Sequence, residues 1–159
     1  MIIYTDGSAH PNPGPGGFGV IVLNDKEELI EVYSKQFSSN VTNNEMEIKA
    51  ILYAFLKYGK KETDFFMPTI YSDSSYRINT FTNWIFTWAK NDWKKSDKKA
   101  PENLELIKAF FDRYLKGYRI EFQKVKGHNN NKWNELADQL ATGKLTPEEI
   151  WNKYSKGEI

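Results

Sequence analysis

The chain has 159 residues, 40% of them hydrophobic, which suits a single domain with its own buried core. It contains no Cys, so it can form neither a disulfide framework nor a thiolate metal site, as is usual in a reducing compartment. The net charge of +1 conceals an uneven distribution: residues 1–80 hold seven Lys and Arg against ten Asp and Glu, and residues 81–159 hold fifteen against eleven. With no leader-like segment and no apolar stretch of membrane-spanning length, we expect a soluble cytoplasmic protein that does not contact membranes.

The first part of the chain predicts three strands, at about 1–8, 18–24 and 29–38, because these stretches are rich in β-branched and aromatic residues. A hairpin turn at 24–28 makes the neighbouring strands antiparallel. Residues 14–19, Gly-Pro-Gly-Gly-Phe-Gly, match the dinucleotide-binding pattern G-x-G-x-x-G. A strand follows them where that pattern requires a helix, so we predict a tight glycine turn and exclude a dinucleotide.

Helix signals follow the third strand. Thr42 and Glu45 have the spacing of a capping box, and the helix that they begin should run to about Tyr58 before Gly59 ends it. A strand, two helices, a strand and two more helices are then predicted, at about 69–73, 75–89, 101–116, 118–125, 133–141 and 147–156. This order predicts an α/β fold with a mixed five-stranded sheet, three antiparallel strands and then two parallel ones, flanked by helices.

Four carboxylates fall where an α/β protein commonly carries out chemistry. Asp6 and Asp73 each lie at or near the carboxyl end of a predicted strand, the edge at which such sheets bind ligands. Glu47 lies in the second turn of the helix that follows Thr42, and Asp138 lies in a late helix. An Asp beside a Gly usually just caps a turn. Four acids without nearby basic partners, however, suggest a metal site with hard oxygen ligands.

Aromatic and cationic side chains are interleaved in the basic half of the chain: Trp84, Trp88, Lys90, Trp93, Lys94, Lys95, Lys98 and Lys99. This composition suits a nucleic-acid backbone, because lysines meet phosphates and aromatic rings stack on bases. The alternative is that the tryptophans belong to the core and the lysines to a solvated face. Both interpretations can hold for one helix.

The motifs of the chain resemble ribonuclease H of type 1, in its bacterial ribonuclease HI form. Six of them occur in the family's order at about its spacing: Thr5-Asp6-Gly7-Ser8, Asn12 to Gly17, Thr42-Asn43-Asn44 with Met46-Glu47, Ser72-Asp73-Ser74, Trp84-Ile85 with Trp88, and Val125 to His128 with Asp138. The resemblance implies a ribonuclease H-like catalytic domain over 1–142. Residues 143–159 are expected to form a helical extension packed on, or trailing, that domain.

The resemblance implies cleavage of the RNA strand of RNA–DNA hybrids, leaving 5′-phosphate and 3′-hydroxyl ends, with two Mg²⁺ or Mn²⁺ ions. By the family pattern Asp6 would touch both ions, Asp138 the ion that activates the attacking water, and Glu47 and Asp73 the other. His128 would assist proton transfer or product release. The main alternative from another class is a weak or inactive hybrid-binding module, and a domain cut from a reverse transcriptase is the alternative among enzymes.

The same resemblance assigns substrate contacts. Asn12, Asn43 and Asn44 match positions that read 2′-hydroxyls and bases, and Thr42 and Asn103 match a pocket for a DNA-strand phosphate. Ser74 and the basic protrusion complete the substrate-binding set, the protrusion comprising Trp84, Trp88, Lys94, Lys95, Lys98 and Lys99. Glu45, Asn40 and Ser75 depart from the family's common residues by removing charge or donors, which predicts weaker hybrid affinity. We expect a monomer.

Overall fold

The structure is a computed structural model that describes residues 1–125 and 131–159. Its strands are β1 (Ile2–Ala9), β2 (Gly14–Leu23), β3 (Leu29–Val41), β4 (Lys60–Lys61), β5 (Thr69–Ser72), β6 (Tyr118–Arg119) and β7 (Glu121–Lys124). Its helices are α1 (Asn43–Tyr58), α2 (Ser75–Asn79), α3 (Ile85–Lys90), α4 (Leu104–Leu115), α5 (Lys132–Ala141) and α6 (Pro147–Ser155). None of the helices within these two ranges is both long and apolar enough to cross a membrane.

The main sheet has five strands in the order β3-β2-β1-β5-β7. The pairs β3-β2 and β2-β1 are antiparallel, whereas β1-β5 and β5-β7 are parallel. The predicted mixed sheet is therefore confirmed. The predicted strand over 118–125 is divided, because β6 pairs with β4 in a separate two-stranded sheet and only β7 joins β5.

Both faces of the sheet are buried. Along β2, Val20 and Val22 face one side, and Ile21 and Leu23 face the other, and all four are 0% exposed. Residues of α1 and α4 cover the first face, and residues of α5 and α6 cover the second. Each fully buried aliphatic side chain contributes about 1.5–3 kcal/mol to stability, so this double-sided core fixes the sheet as a platform.

The predicted glycine turn at 14–19 is wrong, since Gly14 already begins β2. In the ladder with β1, Gly16 pairs with Ala9, Gly17 with Ser8, and Gly19 with Asp6. The glycines thus extend the strand instead of ending it. A Cβ on Gly19 would lie 2.6 Å from the Cβ of Leu140, so the strand needs glycine there for α5 to pack against it.

The helix predicted after Asp73 is irregular. α2 passes through a π-helical segment, Thr80–Trp84, into α3. The Thr80 hydroxyl donates to the carbonyl of Tyr76 at 2.9 Å, and such side-chain bonds to the helix backbone favour local distortion. The next helix begins at Leu104 and not at Pro101, because Asn103 adopts a left-handed conformation (φ 58°) that Asn tolerates.

Candidate active site

Asp6 and Asp73 are brought together by the parallel pairing of β1 with β5. The last register pair of these strands is Tyr4 with Tyr71, and each aspartate lies two residues beyond it. Because side chains alternate along a strand, Asp6 lies on the face that Tyr4 occupies, and Asp73 follows directly after the end of β5. β1 continues to Ala9, so Asp6 lies within the strand, three residues before its carboxyl end.

Glu47 reaches the site because Gly7 lets α1 approach β1. A Cβ on Gly7 would lie 2.2 Å from the carbonyl carbon of Met46 and 2.3 Å from the backbone nitrogen of Glu47. The Thr42 hydroxyl accepts the N–H of Glu45 at 3.1 Å and so sets the start of the helix, as predicted. The Glu45 carboxylate pairs with Lys49 at 3.0 Å, so the reciprocal half of the predicted capping box gives way to an ion pair.

Replacing Gly7 by Ala should destabilise the protein and impair the site together. The added methyl group meets backbone atoms of Met46 and Glu47 that cannot rotate away, so we expect a loss of about 1–3 kcal/mol in the free energy of unfolding. Cleavage should fall further than stability explains, because Glu47 is pushed away from Asp6. Urea unfolding and kcat measure the two effects, with Ser8→Ala as the control. Wild-type stability in Gly7→Ala would contradict the close approach.

Asp138 comes from α5, which packs on the face of the sheet opposite to α1, the face that Tyr4 occupies. The Asn131 side chain begins this helix by accepting the N–H groups of Trp133 and Asn134, both at 3.1 Å. The carbonyl of Ala137 would lie 2.9 Å from a Cβ on Gly19, the residue that pairs with Asp6 in the sheet. Glycine at this position thus allows the helix turn that carries Asp138 to lie against the strand that carries Asp6.

The pKa of Asp6 reflects its burial and the acids around it. Burial, the negative charges of Asp73 and Asp138, and a hydrogen bond with Asp138 raise it to about 8, although the N–H of Gly7 donates to Asp6 at 2.9 Å. The pKa of Glu47 is also raised, by burial first and by Asp73, with Arg77 acting in the opposite direction. The four predicted acids therefore act on each other electrostatically, and Asp6 is where their repulsion is strongest.

Without metal, stability should fall as the pH rises from about 4 to about 8. Folded Asp6 keeps its proton up to a pKa of about 8, whereas in the unfolded chain it loses it near pH 4, so deprotonation favours unfolding across that interval. Asp6→Asn should remove this dependence and be more stable than wild type above pH 8. Thermal midpoints in EDTA at pH 5 and pH 9 measure it, with the exposed Asp64→Asn as control. If the thermal midpoints of wild type and Asp6→Asn differ by the same amount at both pH values, the raised pKa does not belong to Asp6.

The expectation that the four acids have no basic partner is wrong for one of them. Arg77, in α2, is 4% exposed, and its Nε lies 3.6 Å from Oε2 of Glu47. Sequence reasoning missed Arg77, because nothing in its sequence position distinguishes a buried arginine from a solvated one. Within 1–125 and 131–159, no three or more His, Cys, Asp or Glu side chains are close enough to hold a metal ion as they stand.

The chemistry of the acids nevertheless fits divalent cations. Four carboxylates offer hard oxygen ligands, and the pKa of Asp6 is raised by burial and by the negative charges of Asp73 and Asp138. A dication would relieve that repulsion and draw the carboxylates inward. The single cation in ion-pair contact with any of the four, in the described part of the chain, is Arg77.

Two of the predicted 2′-hydroxyl readers, Asn12 and Asn43, connect the loop after β1 to the start of α1. The side-chain oxygen of Asn43 accepts the N–H of Ala9 at 2.6 Å, and that of Asn12 accepts the N–H of Asn43 at 3.1 Å. Both side-chain carbonyls are used to hold the loop, so their amide N–H₂ groups are the atoms left to contact a ligand. The Ser74 hydroxyl accepts the N–H of Arg77 at 3.2 Å and caps α2.

Two neighbouring cavities contain much of the predicted substrate-binding set. One of about 130 Å³ is lined by residues that include Asn44, Arg77, Trp88, Lys95 and Asn103. The other, of about 430 Å³, is a groove lined by Tyr76, Trp84, Thr87, Trp88, Asn91, Lys94, Lys95 and Ser96. Trp88 also packs against the core, so this residue lines the groove and belongs partly to the core at the same time. Lys98 and Lys99 are exposed outside both linings.

Two lysines of the predicted basic protrusion have acidic neighbours. Lys94 lies 3.9 Å from Asp92, and Lys95 lies 3.7 Å from Asp97. The positive surface is therefore weaker than the count of lysines suggests. His128 falls outside the described residues, and its predicted role stays a prediction.

Comparison with known proteins gives a consistent result. A family model described as RNase H matches residues 1–146. The chain is 39% identical over 142 residues to ribonuclease H of Caldicellulosiruptor saccharolyticus, covering 89% of this chain and 92% of that protein. It is 36% identical over 159 residues to ribonuclease H of Ruegeria sp., covering 99% and 98%. It is 41% identical over 142 residues to ribonuclease HI of Pasteurella multocida, covering 87% and 85%.

Solved structures share the fold. LC9-RNase H1, described as a type 1 RNase H with the type 2 active-site motif, superposes with a TM-score of 0.68 at 26% identity, covering 91% of this chain and 72% of that chain. LC11-RNase H1, solved in complex with an RNA/DNA hybrid, superposes with a TM-score of 0.62 at 24% identity, covering 88% and 92%. At that identity the second likeness concerns the fold alone.

Proposed function

The chain belongs to the ribonuclease H family, and on that basis we propose that it is an endonuclease that hydrolyses the RNA strand of RNA–DNA hybrids. The observation that carries the proposal is a largely buried Asp6 grouped with Asp73 and Asp138, since burial first, and then these two acids, raise the pKa of Asp6 to about 8. A site that concentrates negative charge in this way is suited to hold cations against a phosphodiester. The relatives named ribonuclease H support the choice of substrate.

We propose that Asp6, Glu47, Asp73 and Asp138 hold two Mg²⁺ ions, with Mn²⁺ as a possible substitute. When bound, such ions stabilise the entering and leaving oxygens of an in-line displacement and supply a nucleophile from water. The ends left by this displacement are a 5′-phosphate and a 3′-hydroxyl. The negative charges of both Asp73 and Asp138 act on Asp6, so Asp6 would be the central carboxylate among the metal ligands.

The residues around the acids position the substrate. The amide N–H₂ groups of Asn12, Asn43 and Asn44 can donate to 2′-hydroxyls, the group by which a protein distinguishes RNA from DNA. Trp84 and Trp88, with their ring centroids 6.2 Å apart, offer an apolar wall beside Lys94 and Lys95 for the other strand. A monomeric, cytoplasmic enzyme stays a prediction.

A substrate panel tests the proposal. The protein should cut the labelled RNA strand of a hybrid in Mg²⁺ and leave duplex RNA and duplex DNA largely intact. The expected selectivity follows from donors that need a 2′-hydroxyl on one strand and from a groove that takes the other strand. Comparable rates on duplex RNA would favour another nuclease class, and binding of the hybrid without any cleavage would favour an inactive binding module.

A further inference from the structure

Arg77 is a buried cation beside one of the catalytic acids. Its side chain is 5% exposed, and that of its neighbour Glu47 is 26% exposed. The guanidinium carbon lies 4.2 Å from the ring centroid of Tyr76, and the Nε atom has no hydrogen-bond partner in the described part of the chain. Ser74 fixes the backbone of Arg77 through its N-cap bond. The guanidinium is therefore held in place, with one N–H unsatisfied.

Burial of a guanidinium is unfavourable unless a negative charge lies nearby, because the charge loses its hydration. For Arg77 that negative charge is Glu47, the one carboxylate in ion-pair contact with it among the described residues. The separation of 3.6 Å exceeds the length of a charge-assisted hydrogen bond, which is about 2.7–2.9 Å. The pair is therefore loose, and Glu47 keeps oxygen lone pairs free for another cation.

We propose that Arg77 is an internal counter-cation that occupies Glu47 in the metal-free enzyme and competes with the metal ion for that carboxylate. The inference rests on the proposed function, since it takes Glu47 to be a metal ligand. Arginine is suited to this role because it stays charged at any working pH. The affinity of Glu47 for a metal ion then depends on how readily the metal ion displaces Arg77 from the carboxylate.

The position of Arg77 separates this role from ordinary stabilisation of a helix. It lies in α2, which begins two residues after the acid Asp73, and it also lines the 130 Å³ cavity shared by Asn44 and Asn103. A positive charge at this place acts on the metal site directly. It also acts on any anionic group in the cavity, so the competition would be relieved when a phosphate draws on the same guanidinium.

Arg113 offers a matched control. Its Nε is likewise buried without a hydrogen-bond partner, and its guanidinium lies 3.6 Å from the ring centroid of Tyr118. No carboxylate forms an ion pair with it in the described ranges. Arg113→Met thus removes a similar side chain from a similar aromatic contact without touching the acids.

Calorimetric titration with Mg²⁺, in the absence of nucleic acid, tests the proposal. Arg77→Met should bind Mg²⁺ about tenfold more tightly than wild type, because it removes the positive charge that lies 3.6 Å from the Glu47 carboxylate. Arg77→Lys, which keeps the charge, should stay near the wild-type affinity, and so should Arg113→Met. In EDTA, the thermal midpoint of Arg77→Met should fall and then rise further than that of wild type when Mg²⁺ is added.

The outcomes separate the inference from the function. If wild type binds Mg²⁺ and Arg77→Met binds it equally or more weakly, competition is overturned while the metal site stands. If wild type binds no Mg²⁺, the metal site fails and the inference fails with it. Should Arg77→Met fail to fold, Arg77→Gln provides the same neutral comparison.

Discussion

Asp6→Asn should reduce cleavage of an RNA–DNA hybrid by roughly three orders of magnitude or more while the fold persists. The substitution keeps the size of the side chain and removes a charge from the centre of the acid group. Metal ions contribute several kcal/mol to transition-state stabilisation in such reactions, and each 1.36 kcal/mol is a factor of ten in rate. Single-turnover cleavage at saturating hybrid and Mg²⁺ measures the loss.

The control for this variant is Asp64→Asn, which neutralises an exposed aspartate in the loop after β4. It should keep wild-type turnover. Circular dichroism and the thermal midpoint should show that Asp6→Asn is folded. Undiminished turnover in Asp6→Asn would remove the carboxylate group from the mechanism.

Replacing the four protrusion lysines, Lys94, Lys95, Lys98 and Lys99, by Ala should raise KM and leave kcat nearly unchanged. Phosphate contacts by Lys add affinity mainly by releasing counterions and do not touch the reacting atoms. If all four meet phosphate, the slope of log K against log salt should fall by roughly 0.9 for each. The ion pairs of Lys94 and Lys95 with Asp92 and Asp97 predict that these two contribute less than Lys98 and Lys99.

A matched variant has the same change in net charge on the other face of the protein. The four lysines are exposed and lie close to α6: Lys153 is in the helix, Lys144 and Lys156 flank it in sequence, and Lys26 lines a cavity with Tyr154 of that helix. Their replacement by Ala should leave KM and the salt slope almost unaltered. A fall in kcat with unchanged KM in the protrusion variant would show that the protrusion is not a substrate clamp.

The sequence predicts the strands and the helix that carry three of the four acids, because local signals mark where these elements begin or end. Asp6 and Asp73 follow β-branched runs, and Thr42 marks the start of the helix that carries Glu47. The order of strands also follows from such signals, since a hairpin and short connections leave few topologies.

The rest depends on contacts between distant segments. A glycine-rich stretch alone is more typical of a turn. Gly19 instead lies in a strand, and this position needs glycine because α5 packs where a side chain would be. Tyr118 and Arg119 leave the main sheet because they pair with Lys60 and Lys61, which no local pattern indicates. The same limitation conceals Arg77, whose ion pair with Glu47 joins residues of α1 and α2, two helices that are separate in sequence.

The most direct test of the account is one hybrid with a labelled RNA strand, incubated with the wild-type protein in Mg²⁺, in EDTA, and in EDTA followed by excess Mg²⁺. We expect cleavage of the RNA strand with Mg²⁺, none in EDTA, and recovery on adding Mg²⁺ back, with products that carry 5′-phosphate and 3′-hydroxyl ends. Cleavage that persists in EDTA, or products with 2′,3′-cyclic phosphate ends, would contradict a reaction that depends on cations held by Asp6, Glu47, Asp73 and Asp138.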